Sequence, residues 1–182
     1  MKRRRYILLL VALLMMAVQL RAQQGAEATN GIKFFKGTFS EALAQAKQEN
    51  KIVFVDFYAV WCVPCKKMAK TVFTQEEVGK YFNEHFISLQ LDAEKGENVD
   101  IAKNYKVAAY PTVAFIAPDG KALSVNTGAM DKDELMEAAK IAAGESVSFE
   151  ELYNKYKADN NDLDVQQQLL LKAPSFLQAQ EG

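Results

Sequence analysis

The sequence predicts an α/β fold in which a central mixed β-sheet is covered by helices. Apolar runs rich in β-branched and aromatic residues alternate with amphipathic helical patterns over residues 32–105, and this alternation is typical of strands joined by helices. Residues 118–121 (PDGK) then predict a tight turn between two late strands, which adds an antiparallel pair to the sheet. The composition agrees, because 49% hydrophobic and 25% charged residues in a chain of 182 are typical of a globular protein with one domain of ordinary size.

The first elements are predicted between residues 32 and 58. A short apolar stretch at residues 32–35 predicts a first strand. Residues 38–41 (TFSE) form a capping box, in which the threonine oxygen and the glutamate satisfy backbone amides at a helix start. The helix that follows, through about residue 48, turns Phe39, Leu43 and Ala46 to one face. Residues 52–58 (IVFVDFY) are a continuous β-branched and aromatic run, which predicts a strand buried on both faces.

The middle of the chain continues the alternation. A second capping box is predicted at residues 74–77 (TQEE). The elements predicted here are, in order, helices at residues 66–70 and 74–83, a strand at 86–91, a helix at 99–105 and strands at 112–117 and 123–127. The last helix of this domain, residues 131–143, ends at Gly144 and turns inward the apolar residues Leu135, Met136, Ala139 and Ile141.

Beyond the domain predicted at residues 31–144, the sequence predicts a helical C-terminal extension at residues 145–182. A third capping box (SFEE) opens a helix with Leu152, Tyr153 and Tyr156 on one face. A polar break (NND) precedes a second helix at residues 165–171, and the small, polar residues after it are expected to fray. Packing of this extension on the core and docking of a partner both remain open.

The first 22 residues have the layout of a secretory signal peptide. Residues 1–5 (MKRRR) are basic, residues 7–18 are an unbroken run of twelve apolar residues, and a small residue allows cleavage after Ala22. A retained membrane anchor is the alternative, but such a run rises only about 18 Å as a helix, against a hydrocarbon core of roughly 30 Å. We therefore expect a cleaved signal, a polar leader at residues 23–30, export to the periplasm and no stable membrane insertion after cleavage.

The charge balance excludes one class of partner. The net charge is −1 at pH 7, and beyond residue 22 the chain has 17 basic against 23 acidic residues, a net charge of −6. Nucleic-acid-binding proteins normally carry a basic excess, so we expect no nucleic acid partner. The two cysteines are also too few for a small protein held together by disulfides.

The two cysteines lie just after a predicted buried strand and at the start of a helix. The spacing of Cys62 and Cys65 lets the two sulfur atoms meet, and it exposes the first while the second lies inside the first turn. A helix N-terminus has partial positive charge and unpaired amides, which favour a thiolate over a thiol. Because the thiolate is the attacking species in disulfide exchange, the pattern predicts that Cys62 attacks a disulfide and Cys65 resolves the product.

The alternatives for the cysteine pair are half of a zinc site and an inert structural disulfide. Half of a zinc site would need two further nitrogen or sulfur ligands, and His85 is the only histidine. An inert structural disulfide that closes so short a loop would stabilise the fold weakly. We expect no metal and no dissociable cofactor.

The residues around the pair resemble those of a known family. Residues 55–66 (VDFYAVWCVPCK) are similar to the active-site segment of the thioredoxin superfamily, residues 109–112 (AYPT) to its cis-proline loop and residues 118–120 (PDG) to its β-hairpin. The resemblance covers residues 32–143, and residues 57–67 with the TVFT that follows are most similar to the exported thioredoxin-like domain at the C-terminus of the DsbD disulfide-interchange transporter. It implies a thioredoxin fold, to which the C-terminal extension adds helices without a known counterpart.

The resemblance implies three catalytic residues. Cys62 and Cys65 match the redox pair, and Asp56 matches a buried acid that exchanges a proton with the resolving thiol. The apolar neighbours of Asp56 agree with burial, which would raise the pKa of its carboxyl group. The alternative for Asp56 is a solvated residue at a strand edge.

The resemblance also implies three substrate-binding residues. Trp61 matches the aromatic residue that flanks the nucleophile, although an ordinary core tryptophan is the alternative. Pro111 matches the cis-proline that faces the disulfide, and the backbone at the adjacent Tyr110 can pair with a substrate strand.

The sequence departs from thioredoxin at two places that influence the redox potential. Val-Pro replaces the Gly-Pro of thioredoxin between the cysteines, and Ser88 stands where thioredoxin has a lysine near the buried acid.

Together these features predict an exported thiol–disulfide oxidoreductase that reduces protein disulfides. Because one CxxC pair has no built-in source of electrons, we expect a membrane electron-donor protein as partner, with misoxidised proteins or the haem-binding cysteines of apocytochromes as acceptors. One alternative is the reverse chemistry, an oxidase or isomerase of new disulfides. Another is a thioredoxin-fold binding module without redox turnover.

Overall fold

The computed structural model of the protein describes residues 30–180, with side chains through residue 173. The predicted signal peptide at residues 1–22, and all of the predicted polar leader except its last residue, lie outside the described residues. Within the described part, no helix is both long enough and apolar enough to span a bilayer.

Seven helices and four strands make up the described part of the chain. In chain order they are α1 (Phe39–Glu49), β1 (Ile52–Tyr58), α2 (Val63–Thr71), α3 (Glu76–His85), β2 (Phe86–Asp92), α4 (Asn98–Asn104), β3 (Thr112–Ile116), β4 (Ala122–Thr127), α5 (Lys132–Ala142), α6 (Phe149–Ala158) and α7 (Leu163–Gln180).

The four strands form one mixed sheet in the order β2-β1-β3-β4, which confirms the predicted fold class. β1 pairs in parallel with β2 and antiparallel with β3, and β4 is an edge strand that forms a hairpin with β3. In this register Tyr58 lies opposite Asp92, and Phe57 lies opposite Thr112. The C-terminal ends of β1 and β2 and the N-terminal end of β3 therefore meet at one end of the sheet.

Helices cover both faces of the sheet, and β1 contributes to both cores. On one face Phe54 and its neighbours on β3 pack against α2, α3 and α5. On the other face Val53, Val55 and Phe57 pack against α1 and α4. Because successive side chains of a strand point to opposite faces, burial on both sides explains the continuous apolar run that predicted this strand.

Two local predictions are wrong. Residues 32–35 form no strand: a single parallel bridge joins Phe34 to Ser88, because the flanking backbone bonds elsewhere, to the Asn83 side chain and to the Phe73 carbonyl oxygen. The capping box predicted at residues 74–77 is also absent, and α3 begins after Gln75 without a side-chain cap. The Thr74 hydroxyl instead donates to the Lys70 carbonyl oxygen, 2.7 Å away, at the end of α2.

Other helix starts follow their sequence signals. Thr38 and Glu41 form the predicted capping box of α1. At the start of α6 the Ser148 hydroxyl accepts a hydrogen bond from the Glu151 amide, which is one of the two hydrogen bonds of the capping box predicted there. A further capping box, Asp131 with Glu134, opens α5; the sequence contained its signal, because an acid at the cap followed three residues later by glutamate satisfies the same amides.

The two helices after Gly144 pack on the core, and the second is longer than predicted, since α7 continues to Gln180. Leu152 and Val165 are buried. Two polar contacts fix the start of this extension: Glu145 accepts a hydrogen bond from Tyr81 at 2.9 Å and lies 3.5 Å from the His85 ring nitrogen. His85 directly precedes β2, so this anchor lies at the opposite end of the sheet from the loop after β1.

A second contact anchors the far part of the extension. Lys172 on α7 forms an ion pair with Glu137 on α5. Ser146 also donates a hydrogen bond to Glu137, at 2.9 Å. These contacts support packing on the core for the described part of the extension.

Gly79 allows α3 to approach the N-terminal segment closely, and we expect Gly79→Ala to destabilise the fold. An alanine Cβ would lie 2.4 Å from the Gly31 carbonyl carbon and 2.6 Å from the Asn30 carbonyl oxygen. Overpacking of this kind costs about 1–3 kcal/mol, more than the ~1 kcal/mol that alanine gains over glycine in a helix. Urea unfolding would measure the loss, with the exposed Lys80→Ala as control. A Gly79→Ala variant as stable as the parent would contradict this packing.

Candidate active site

Cys62 and Cys65 form a disulfide at the start of α2, immediately beyond the C-terminal end of β1. Their Cα atoms are 5.4 Å apart, within the range found in protein disulfides. Pro64 occupies the first turn of the helix, where a residue without an amide hydrogen leaves no helical hydrogen bond unmade. The helix therefore begins at the cysteine pair.

The two sulfur atoms have different surroundings because Cys62 is the N-cap of α2. Its Sγ accepts a hydrogen bond from the Cys65 amide at 3.1 Å. The partial positive charge of the helix N-terminus acts on the same atom. After reduction, a negative charge on the Cys62 sulfur would be stabilised by this amide and by the helix dipole.

Both cysteines are buried, which corrects the expectation that the first would be exposed. Cys62 is 2% exposed and Cys65 is 5% exposed. Ala59, Tyr58 and Tyr110 pack against the pair and cover it. The helix cap, and not accessibility, therefore distinguishes the two sulfurs.

Around the buried disulfide the surface is apolar. Val60, Trp61 and Val63 are 62%, 64% and 73% exposed, respectively. Exposed apolar side chains that cluster in this way mark sites of interaction. Trp61 is thus a surface residue and not the core tryptophan that the sequence left as an alternative.

The orientation of Trp61 is fixed by Glu94, an acid that was not predicted from the sequence. Its indole Nε1 donates a hydrogen bond to Glu94 at 2.8 Å, and its ring meets the Tyr110 ring edge-on, with centroids 6.1 Å apart. Glu94 lies two residues beyond β2, where a solvated acid in a loop would look the same in sequence. Burial, followed by the charges of Glu94 and Asp92, raises the pKa of Tyr110.

The loop before β3 brings two further predicted residues to the disulfide. The Tyr110–Pro111 bond is cis, as the resemblance implied. Pro111 is buried, and Tyr110 packs against the cysteine pair. The structure thus places Trp61, Tyr110 and Pro111 at the same end of the sheet as Cys62 and Cys65.

Asp56 is a buried acid on β1 and is only 1% exposed, which excludes a solvated edge position. The Gln90 side-chain amide donates to its Oδ2 at 2.9 Å, whereas Oδ1 has no hydrogen-bond partner in the described part of the chain. Burial raises the pKa of Asp56 to about 6, and the hydrogen bond from Gln90 partly offsets that rise.

Gln90, not Ser88, lies directly opposite Asp56. The resemblance places Ser88 near the acid. In the sheet register, however, Ser88 pairs with Phe54, two residues before Asp56. The Ser88 hydroxyl is buried and has no partner among the described residues. The neighbour that stabilises the carboxylate is therefore a neutral amide, and strand register alone decided which residue it would be.

The described residues contain no cluster of three or more histidine, cysteine or acidic side chains able to hold a metal ion. His85 lies away from the cysteine pair, stacked on Tyr81 with ring centroids 4.3 Å apart.

Comparison with known proteins identifies the family. Residues 35–118 match a family model described as thioredoxin-like. The solution structure of a candidate disulphide-isomerase from Bacteroides thetaiotaomicron is 43% identical and superposes with a TM-score of 0.59, over 67% of this chain and 100% of that one. The chain belongs to the thioredoxin-like family. With its disulfide at a helix N-terminus, this thioredoxin-like protein is a thiol–disulfide oxidoreductase.

Two further comparisons are with DsbD. The thiol:disulfide interchange protein DsbD of Pseudomonas fluorescens is 35% identical over 80 residues, which are 43% of this chain but 14% of that protein. The oxidised C-terminal domain of Neisseria meningitidis DsbD is 29% identical with a TM-score of 0.51, over 60% of this chain and 99% of that domain. The chain thus spans a small part of full-length DsbD.

We expect Asp56→Asn to stabilise the oxidised protein at neutral pH. The folded-state pKa of about 6 exceeds the ordinary value of 3.8, so the folded state holds the proton more tightly and loses stability as pH rises from about 4 to 6. Asparagine does not ionise. The variant should be more stable by up to ~3 kcal/mol at pH 7.5, with no such difference below pH 4.

Urea unfolding of the oxidised protein at both pH values would measure this effect. Asp100→Asn is the matched control, because Asp100 is exposed on α4 and a surface change should alter stability by no more than about 0.5 kcal/mol. Equal stability of Asp56→Asn and the parent at pH 7.5 would show that the buried carboxylate is not destabilising.

Proposed function

We propose that this protein is an exported protein-disulfide reductase in which Cys62 is the nucleophile and Cys65 the resolving cysteine. The observation that carries the assignment is the hydrogen bond from the Cys65 amide to the Cys62 sulfur at the helix N-cap. This bond favours charge on Cys62 and not on Cys65.

The reaction has two exchange steps. The Cys62 thiolate attacks one sulfur of a substrate disulfide, forms a mixed disulfide and releases the other substrate sulfur as a thiolate. Cys65 then attacks the Cys62 sulfur, which re-forms the Cys62–Cys65 disulfide and releases the second substrate thiol. Two electrons pass from the cysteine pair to the substrate, so a donor must reduce the pair before the next cycle.

Asp56 is the proton acceptor for Cys65 in this scheme. A catalytic base works best when its pKa lies near the operating pH, and the burial of Asp56 raises its pKa to about 6. Both residues belong to the side of the sheet that α2 covers, since Phe54, two residues before Asp56, lies in one core cluster with Met68 of α2. Ionisation of Asp56 would accompany the loss of the Cys65 proton.

Substrate binding follows from the surface around the disulfide. Trp61 offers an exposed aromatic face beside Cys62, Tyr110 packs against the cysteine pair and contacts the Trp61 ring, and Pro111 follows Tyr110 in the chain. The backbone at Tyr110 is the proposed pairing site for an extended substrate segment, because main-chain hydrogen bonds accept many sequences. Protein disulfides in locally unfolded segments are the substrates that this arrangement favours.

The location and the electron source are proposed from the sequence and from the relatives. The basic and apolar pattern of residues 1–22 supports export to the periplasm, with residues 31–144 as the redox domain and residues 145–182 as its extension. Similarity to the thiol:disulfide interchange protein DsbD supports a partner that exchanges thiols and disulfides. We propose a membrane electron-donor protein as that partner, with misoxidised proteins or apocytochrome cysteines as acceptors.

A disulfide isomerase is the second candidate function, because the B. thetaiotaomicron relative carries that description. The same attack by Cys62 would start isomerisation, but the mixed disulfide would be resolved by another substrate thiol and not by Cys65. The two functions differ in the stability of the Cys62–Cys65 disulfide.

The reduction potential of the pair decides the direction of the reaction. We expect the purified protein, equilibrated with dithiothreitol or glutathione buffers, to titrate near the thioredoxin value of about −270 mV. A value near about −180 mV would favour the isomerase, and one near about −120 mV would make the protein a disulfide donor. Either of the latter results would overturn the proposed direction.

Trapping experiments test the two cysteine roles. Reduced Cys65→Ser mixed with insulin should accumulate a mixed disulfide that dithiothreitol removes, whereas reduced Cys62→Ser should accumulate at least about tenfold less because its remaining sulfur is not the helix cap. The double variant Cys62→Ser/Cys65→Ser is the control. Preferential trapping through Cys65 would reverse the roles, and no trapping by either variant would support a binding module without redox turnover.

A further inference from the structure

The solvent-exposed stripe of α2 is cationic. It contains Lys66, Lys67 and Lys70, and all three are exposed. Their spacing places them on one side of the helix, and α2 contains no acidic residue. None of the three forms an ion pair in the described part of the chain, although seven other lysine and histidine side chains do so.

This stripe adjoins the apolar surface around the disulfide. Val63, at the first position of α2, lies on the same side of the helix and is 73% exposed. Measured from Cys62, the helix N-cap, Lys66 and Lys67 lie about 6–8 Å along the helix, which is about one Debye length at physiological salt. Lys70 lies about 12 Å along the helix from the same point.

The end of β2, beside this apolar surface, carries acidic residues. Asp92 ends β2 and Glu94 lies two residues beyond it, at the end of the sheet where the disulfide lies, and Glu94 accepts the hydrogen bond from Trp61. Charge at the site is thus divided: α2 is positive, whereas Asp92 and Glu94 give the end of β2 a negative charge that the exposed Lys95 offsets only in part. A partner with the complementary division would be held in one orientation.

The positive charge of α2 is opposite in sign to the net charge of the protein. Beyond residue 22 the chain has a net charge of −6, yet α2 carries three positive charges in nine residues. An acidic partner would be repelled by the net negative charge of the protein and attracted locally at α2, where no acidic residue of the helix offsets the three lysines. Such a field selects the approach that brings the partner to Cys62.

We propose that α2 is the cationic half of a docking face and that its partner is a protein whose disulfide or cysteine pair is flanked by acidic side chains. The inference rests on the proposed function and names the class of its substrate. The acidic side chains of the partner lie against Lys66, Lys67 and Lys70, and Trp61 and Val63 contact the partner beside them. Exposed charges of this kind act mainly on the rate of association.

Three synthetic peptides test the proposal. They share one intramolecular disulfide and differ only in the residues beside each cysteine, which are glutamates, lysines or serines. The readout is the second-order rate constant for oxidation of the reduced protein, followed by the fluorescence of Trp61, the single tryptophan, which lies beside Cys62. At 20 mM salt we expect the glutamate peptide to react about tenfold faster than the lysine peptide, and at 500 mM salt the two rates should converge.

Charge reversal identifies the residues responsible. The variant K66E/K67E/K70E should prefer the lysine peptide, and the neutral variant K66Q/K67Q/K70Q should show little preference, which also covers a failure of the first variant to fold. The matched control K47E/K80E/K140E reverses three exposed lysines on α1, α3 and α5 and should keep the preference for the glutamate peptide. The serine peptide corrects for any change in the intrinsic reactivity of the cysteines.

The possible results separate this inference from the proposed function. Equal rates for all three peptides at low salt, or a preference that survives neutralisation of the three lysines, would overturn the docking face and leave the reductase intact. If the protein reduced none of the peptides, the proposed function would fail, and this inference with it.

Discussion

The position of β1 is the constraint on which the site depends. This strand is paired on both edges and buried on both faces, so its seven residues have no freedom to shift register without moving side chains between two packed cores. The cysteine pair follows its C-terminal end directly. Every other residue of the site is positioned relative to this one strand, by pairing along its edges or by packing on its faces.

Pairing along β1 brings together residues that are distant in sequence. On one edge, β2 supplies Gln90 opposite Asp56 and then leads to Asp92 and Glu94. On the other edge, β3 begins just after Pro111, and Tyr110 reaches the disulfide because β3 runs antiparallel to β1. The parallel and antiparallel partners thus bring two acidic residues and the loop that contains Tyr110 to the same end of the sheet.

The electrostatics of the site follow from the same arrangement. Asp56 faces a core of phenylalanine and methionine and is stabilised by a neutral amide, so its charge is costly in the folded state. Burial in this environment raises the pKa of Asp56 to about 6. Meanwhile the C-terminal extension is anchored by Glu145 to Tyr81 and His85 at the other end of the sheet. That end is about 20 Å away along a seven-residue strand, and in the described part of the chain Trp61 and Val63 beside the disulfide are exposed.

The sequence by itself determined the order of the elements, the mixed sheet and the location of the cysteine pair, because these depend on local patterns: apolar periodicity, turn residues and a CxxC spacing at a helix start. Tertiary structure decided the remainder. Only strand register could show that Gln90 and not Ser88 faces Asp56, and only packing could show that Cys62 is covered by Tyr58 and Tyr110. No sequence pattern distinguishes Glu94 from other acidic residues in loops, and only the fold places it beside the Trp61 indole. Local propensity acts over a few neighbours in the chain, whereas hydrogen bonds and burial at the site join residues more than thirty positions apart.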